Sequence, residues 1–468
     1  MTQQIGIKAE RSNYEALGQT MFDLVAELFP ICRSITGNGV RQTLGILNRL
    51  IPLSIEEVPS GTPVFDWTIP PEWNISDAYI KNDRGERVVD FKKNNLHVLN
   101  YSVPIRTKLP LDELKKHIFT LPDQPDLVPY RTSYYAERWG FCMSQNQLDD
   151  LQPGTYEAVV ESSLTEGSLT YAEHVVPGAT KDEVLLSAHI CHPSLANDNC
   201  SGLALLTTLA QELHRRKTKF TYRFIFAPGT IGAIAWLARN EANVGRIKHG
   251  LVVSCVGDAG GPTYKKSRRG DATIDRALTH LLRHNHPSAT IQDFTPYGYD
   301  ERQYCSPGFN LPVGLLQRSQ HGTFQEYHTS GDNLDLVKPC HLADSLKLVM
   351  DVIDILENDR TMLNTNPKCE PALGRRGLYA TVGGDKDSPS RIMAMLWVLS
   401  FSDGQHSLLD IAERSGLKFS DIENAATQLE GAGLLKPIQL PTQCSDLQEP
   451  SAANSDRDPI SPRLATAT

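Results

Sequence analysis

The chain has 468 residues and a formal net charge of −9, with 40% hydrophobic and 22% charged residues. That length accommodates two or three domains with sizeable cores, and the composition is that of ordinary globular proteins. The negative balance argues against a protein whose main partner is a phosphate backbone, while leaving room for a local basic patch.

The start, MTQQIGIKAERSNY, lacks a basic segment followed by an apolar core and does not read as a signal peptide. No apolar run approaches the roughly 20 residues that span a bilayer. Nine cysteines are scattered without CxxC spacing, which favours reduced thiols and a cytoplasmic location.

Along the chain, Tyr14 to Arg33 carries Leu17, Met21, Leu24, Val25 and Leu28 at helical spacing, and a second helix is expected over Val40–Leu50. Residues 61–154 are rich in proline, tryptophan and short strand-like runs such as DAYIKN and HVLNYSV, and predict an inserted β-rich domain. From Tyr156 the runs EAVVESS, SLTYAEHVV, EVLLSAH, YRFIFAP, GLVVSCVG and LPVGLL alternate with helical segments, notably Ser201–Arg215, Ile231–Arg239 and Leu342–Glu357. This pattern predicts an α/β domain over 12–60 and 155–365, with a mixed, mostly parallel sheet covered by helices on both faces. Residues 370–438 predict a winged helix-turn-helix. Its helices are Ser390–Phe401, Ser407–Gly416 and Phe419–Leu435, the last with a capping box from Ser420 to Glu423. Residues 439–468 are poor in apolar side chains and are expected to be disordered.

Ligands of open α/β sheets sit at the carboxyl ends of the strands. Here EVLLSAH ends in His189, GLVVSCVG runs into Asp258, and YHTSGD places His328 and Asp332 after LPVGLL. The stretch SAHICHPSLANDNCSG adds Cys191, His192 and Asp198. Imidazole and carboxylate donors in such a cluster suit zinc, and an aspartate shared by two ions would suit a two-metal hydrolase. Each residue alone also fits an ordinary turn, cap or surface histidine; only their conjunction points to a metal.

AHIC…ANDNCSG resembles the AHxD…xNDNxSG motif of zinc aminopeptidases of the bacterial leucyl aminopeptidase and aminopeptidase Y type. GTIGAIAW, VVSCVGD and YHTSGDNLD are similar to that family's further motifs. Together with DERQYCSPGFNLPVG they match a branch that carries an inserted β domain and a C-terminal winged helix. The resemblance implies a zinc exopeptidase-like fold and one or two zinc ions. The implied ligands are His189 or His192, Asp198, Asp258 and His328, with Asp332 as a supporting carboxylate. It also implies hydrolysis of a terminal amide in a small peptide or aminoacyl conjugate. Relatives of the branch are linked with polysaccharide or secondary-metabolite pathways, which leaves a non-peptide amide open.

Three positions depart from the family pattern. Cys191 stands where an aspartate orients the first histidine, and His192 competes with His189 for one ligand place. Gly229, in Ala-Pro-Gly-Thr, stands where a glutamate is expected. Loss of a general base costs about 10²–10⁴ in rate. Glu301 and Glu326 are the candidate substitutes, against a plain reading as loop salt-bridge residues. Arg302 and Tyr304 are candidates to hold a substrate carboxylate or carbonyl. Nothing in the sequence activates Cys191 as a nucleophile.

The terminal module has four basic residues against six acidic ones between Arg391 and Pro437. That balance favours protein contact or homo-oligomer formation over nucleic-acid binding. The sequence therefore predicts a zinc-dependent hydrolase. The alternatives are a catalytically weakened binding protein and a DNA-binding regulator.

Overall fold

A computed structural model describes the backbone of residues 2–378 and 388–438, with side chains over 13–378 and 390–438. The expected disordered tail at 439–468 lies outside the described residues. An eight-stranded mixed sheet forms the centre. Its strands are β1 (Ser54–Pro59), β2 (Ser168–Val176), β3 (Glu183–His189), β4 (Thr221–Ala227), β5 (Ile247–Val253), β6 (Thr263–Lys265), β7 (Thr290–Gln292) and β8 (Val313–Gln317). The spatial order is β1-β2-β4-β3-β5-β8-β6-β7. The four central strands β4, β3, β5 and β8 are mutually parallel. β3 is buried at all seven positions, as a parallel strand covered on both faces must be, and this is why Val184-Leu185-Leu186 is a continuous apolar run rather than an alternating one.

Helices α1 (Thr2–Leu28), α2 (Asn38–Asn48), α3 (Gly202–His214), α5 (Thr273–Asn285) and α6 (Pro339–Asn358) cover one face, and α4 (Ile231–Asn240) packs on the other. No helix among the described residues is long and apolar enough to cross a membrane.

The insertion is larger than the sequence predicts. Thr155–Thr165 pairs antiparallel with Glu72–Lys81 and with Ile105–Pro110, so EAVVESS belongs to the inserted four-stranded sheet and not to the central one. The central sheet resumes at Ser168, which lies opposite Pro59. The boundary at 154 is therefore corrected, because chain exit and re-entry meet at the β1–β2 pair.

The winged helix likewise begins before residue 370. Thr361–Asn364 is the middle strand of a three-stranded sheet with Asp403–Ser407 and Leu435–Pro437. Its helices are α7 (Ser388–Phe401), α8 (Leu408–Ser415) and α9 (Phe419–Gly431). The expected capping box at Ser420 is absent, because α9 already starts at Phe419 behind an extended Lys418. A capping box forms instead between Ser407 and Asp410 at the start of α8. Arg276 of α5 pairs with Asp410 and Glu413 of α8, and one hydrophobic core runs from α1 through α6 into this module.

Arg33 is the buried fastener behind the loop that follows β3. Its guanidinium donates to Leu28 O at 2.7 Å, His192 O at 2.8 Å and Cys200 Sγ at 3.1 Å. Removing it strands buried acceptors, each carrying a desolvation penalty. Arg33→Ala is expected to lower stability by about 3 kcal/mol, read as a lower midpoint in denaturant unfolding. An unchanged midpoint would mean that water replaces the guanidinium at no cost.

Candidate metal centre

The carboxyl ends of four adjacent parallel strands converge on one point. β3 delivers His189, β4 leads to Gly229, β5 leads to Cys255, and β8 leads to His321. After His189 the chain turns back through Asn197-Asp198-Asn199 into α3. The two asparagines pin this turn to the end of β5 and the residues beyond it. Asn197 Nδ2 donates to Asp258 at 2.8 Å and its Oδ1 accepts from Gly257 N at 2.8 Å. Asn199 Nδ2 donates to Val253 O at 3.1 Å, and its Oδ1 accepts from Gly202 N at 3.1 Å. Asp198 between them is thereby aimed into the centre.

Asp198 is 1% exposed. Its Oδ1 lies 2.8 Å from His189 Nε2 and 3.6 Å from His192 Nδ1, while Oδ2 lies 3.0 Å from His328 Nε2. His189 Nε2 and His192 Nδ1 are 3.0 Å apart. Burial pushes the His192 imidazole well below its ordinary value, so it stands neutral with a lone pair to give. Burial also opposes ionisation of Asp198, but the imidazoles around it hold its carboxyl well below the usual range.

Three donors of N, N and O type thus form a triangle with edges of 2.8, 3.0 and 3.6 Å. Ligand atoms on a tetrahedral zinc are about 3.3 Å apart, so the set fits one face of such a site. A buried carboxylate whose side-chain partners are imidazoles also matches a place made for a cation. Both histidines reach the centre, so the expected rivalry for one place does not arise in the geometry. The other nitrogen of His189 faces the Asn199 amide at 3.3 Å, so no acid rebuilds the support that position 191 gives in the resembling family.

A second donor group shares Asp198 and adds Cys255 and His321, neither of which the sequence pointed to. Cys255 sits at φ 50°, a left-handed conformation uncommon for cysteine, immediately after β5 and Ser254. His321 Nε2 lies 3.0 Å from Ser254 Oγ, and burial pushes its pKa down to about 4.

Several expected residues are placed elsewhere. Asp258 lies outside both donor groups: Oδ1 accepts from Ser319 Oγ at 2.6 Å and Gly260 N at 2.7 Å, and Oδ2 accepts from Asn197 Nδ2. Its oxygens close the loop that follows Cys255. Asp332 supports the Asp198 backbone and not a histidine ring, accepting from Asn197 N at 2.6 Å and Asp198 N at 2.9 Å. Glu301 is fully buried, paired with Lys265 at 2.5 Å and accepting from Tyr299 N, so it is a structural anchor and not a free base. Tyr304 is buried against Trp236 with its hydroxyl 3.1 Å from Ser187 Oγ, and does not line the cavity. Glu326 lies two residues before His328, half-buried, and its carboxylate makes no hydrogen bond or ion pair among the described residues. Arg302 does line the cavity.

The place left by Gly229 is filled. A Cβ on Gly229 would lie 2.0 Å from Tyr299 Cε1 and 2.6 Å from its hydroxyl. The Tyr299 ring stands 4.0 Å from that of His189, and its hydroxyl is 3.3 Å from Cys191 Sγ. Burial pushes the Tyr299 phenol well above its ordinary value and the Cys191 thiol up to about 12, so both stay protonated at neutral pH.

A cavity of about 480 Å³ opens over His192, His328, Gly229 and Tyr299. Its far wall comes from the insertion, through Trp67 and residues 130–135. Tyr130 N donates to His328 O at 2.7 Å, Ser330 N donates to Val128 O at 2.8 Å, and the Tyr130 ring meets His192 and His328 edge-on, each at 5.1 Å. Tyr327 stacks on the other side of His328 at 3.9 Å. The inserted domain therefore helps set the position of a histidine about two hundred residues further on.

A family model described as a domain of unknown function, DUF4910, matches residues 22–359, and a winged helix-turn-helix model matches 360–437. A Clostridium acetobutylicum protein, whose name couples polysaccharide biosynthesis with an aminopeptidase-like domain, is 54% identical over 426 residues, 91% of this chain and 98% of its own. A crystal structure from the same organism, named as a peptidase, superposes with a TM-score of 0.87 at 52% identity, covering 92% of this chain and 99% of its own. BSAP, a zinc aminopeptidase from Bacillus subtilis, gives a TM-score of 0.54 at 13% identity over 72% of this chain and 94% of its own, a likeness of fold alone. The chain belongs to the DUF4910 family, with the fold of the zinc aminopeptidases and a winged helix-turn-helix at its C-terminal end.

Proposed function

We propose that the protein is a zinc-dependent amide hydrolase of the aminopeptidase type, acting on a small peptide, aminoacyl or acyl conjugate. The observation that carries this reading is the buried Asp198 carboxylate ringed by His189, His192 and His328, the last two of which line a cavity of about 480 Å³. These four residues would hold zinc, and Cys255 and His321 offer donors on the far side of Asp198. The chemistry zinc supplies when bound is Lewis acidity toward a carbonyl and a lowered pKa for water.

The chain's own groups have separate tasks. Tyr299, protonated at neutral pH, donates from the place where position 229 has no side chain, suited to an oxygen that gains negative charge. Tyr130 and Tyr134, joined at 2.9 Å through their hydroxyls, wall the cavity from the insertion side and restrict it to short ligands. The name of the Clostridium relative supports acylated or aminoacylated sugars among the substrates to test.

One observation favours a second reading, a relative that binds such a ligand and turns it over slowly. No carboxylate lines the cavity, and of the two expected bases only Glu326 is left unpaired among the described residues. Cytoplasmic residence is part of the proposal, supported by the eight unpaired cysteines among the described residues. The winged helix is read as a protein-contact module, supported by its acidic balance and by α8 spending two carboxylates on Arg276.

Zinc-loaded protein is expected to release amine from small amides, to lose that activity with a chelator, and to regain it on adding zinc. Activity untouched by chelation would overturn the reading. Tyr299→Phe keeps the ring and removes the donor. It is expected to lower kcat by about 10²–10³ with zinc content unchanged, whereas an unchanged kcat would assign Tyr299 a packing role only.

A further inference from the structure

Aminopeptidases act on ligands with a free ammonium group, which calls for acidic or carbonyl acceptors in the pocket. The cavity of this chain offers the opposite charge. Its side chains with a permanent charge are Arg131 and Arg302, and none of its lining residues is acidic. Asp198 beneath it has both oxygens turned to histidines. This is unusual in a chain that is acidic as a whole, with net charge −9.

The two arginines are also uncommitted. Arg41, Arg87, Arg223 and Arg276 are each tied to carboxylates. Arg131 and Arg302 are exposed and form no ion pair or side-chain hydrogen bond among the described residues. Asp300, two residues before Arg302, is fully buried with both carboxylate oxygens without a hydrogen-bond partner, and forms no ion pair with it among the described residues.

Both are nonetheless presented from fixed backbone. Arg131 O accepts from Asn100 N at 2.9 Å, and Arg302 sits on the short helix Glu301–Tyr304 that the buried Glu301–Lys265 pair locks. Beside them Trp67 and Tyr135, 46% and 52% exposed with ring centroids 5.4 Å apart, line the same cavity as an apolar platform. Large exposed aromatics in a ligand cavity fit the flat face of a ring.

We propose that the cavity selects its amide ligand by an anionic group, a carboxylate or phosphate, bound by Arg131 and Arg302 with a ring over Trp67 and Tyr135, and not by a free ammonium. This deepens the hydrolase reading and rests on its placement of the ligand in this cavity. Guanidinium groups suit both anions because they donate two parallel hydrogen bonds to either.

The test uses the zinc-loaded full chain and calorimetric titration with four probes of similar size. They are hippurate, N-benzoyl-2-aminoethyl phosphate, methyl hippurate and glycine benzylamide. One or both anions are expected to bind about tenfold or more tighter than the neutral ester, and glycine benzylamide weakest. The tighter of the two anions identifies the source. The double variant R131A/R302A is expected to erase the preference with zinc content unchanged, which separates arginine recognition from a carboxylate meeting zinc. The proposal is overturned if glycine benzylamide binds as well as the anions, if the preference survives in the double variant, or if neither anion binds at millimolar concentration. Chromatography of the same mixtures keeps the two readings apart. Anion preference without cleavage of any probe counts against the hydrolase alone, whereas cleavage confined to glycine benzylamide counts against the anion site alone.

Discussion

A carboxylate buried to 1% exposure, with imidazoles as its side-chain partners, is the constraint around which the centre is arranged. An isolated buried charge is costly, and a protein retains one only where hydrogen bonds or a cation offset it. The surrounding sequence is spent on aiming that charge. Asn197 and Asn199 staple the turn to the end of β5 and the residues beyond it, Asp332 holds the amides of Asn197 and Asp198, and Arg33 clamps the preceding loop from behind. Burial pushes Asp332 up to about 8, so at neutral pH it tends to sit there protonated and adds little negative charge to the centre.

The second feature is an exchange between two positions far apart in the chain. Gly229 gives up a side chain, and Tyr299 occupies the space against His189 and Cys191. A carboxylate at 229 and a ring at 299 exclude each other sterically. The absence of a side chain at 229 and the phenol at 299 are therefore one structural fact. It sets the chemistry available beside His189: a phenol that stays protonated and no carboxylate. The insertion completes the picture by supplying a wall, three tyrosines, an arginine and the backbone contact to His328.

Much of this was legible in the sequence. The apolar run Val184-Leu185-Leu186, the histidine that ends its strand and the Asn-Asp-Asn turn are local signals. They point to β3 with His189 at its end and to His192 and Asp198 in the loop that follows, and the alternating strands and helices indicate the layered sheet. What failed was of longer range. Asp258 looked like a ligand because it follows a strand, but a left-handed Cys255 turns the chain so that the thiol, three residues earlier, faces the centre. His321, after β8, and Tyr299, between β7 and β8, lie in loops with no periodic pattern, and only the order of the strands in the sheet brings them beside His189. Glu301 resembles a base by its place in the sequence, but Lys265 pairs with it across 36 positions, which no local pattern shows. The insertion boundary failed because an antiparallel strand of the insert reads much like a strand of the main sheet.

The account stands on Asp198 as the organiser of a metal site, and zinc content tests it most directly. Protein dialysed against zinc and then against buffer is measured by plasma mass spectrometry, wild type beside Asp198→Asn, which keeps size and removes the charge. The account predicts at least one tightly held zinc per chain in the wild type and its loss in the variant. A wild-type chain that retains no zinc, or an Asp198→Asn chain that retains as much, would contradict it.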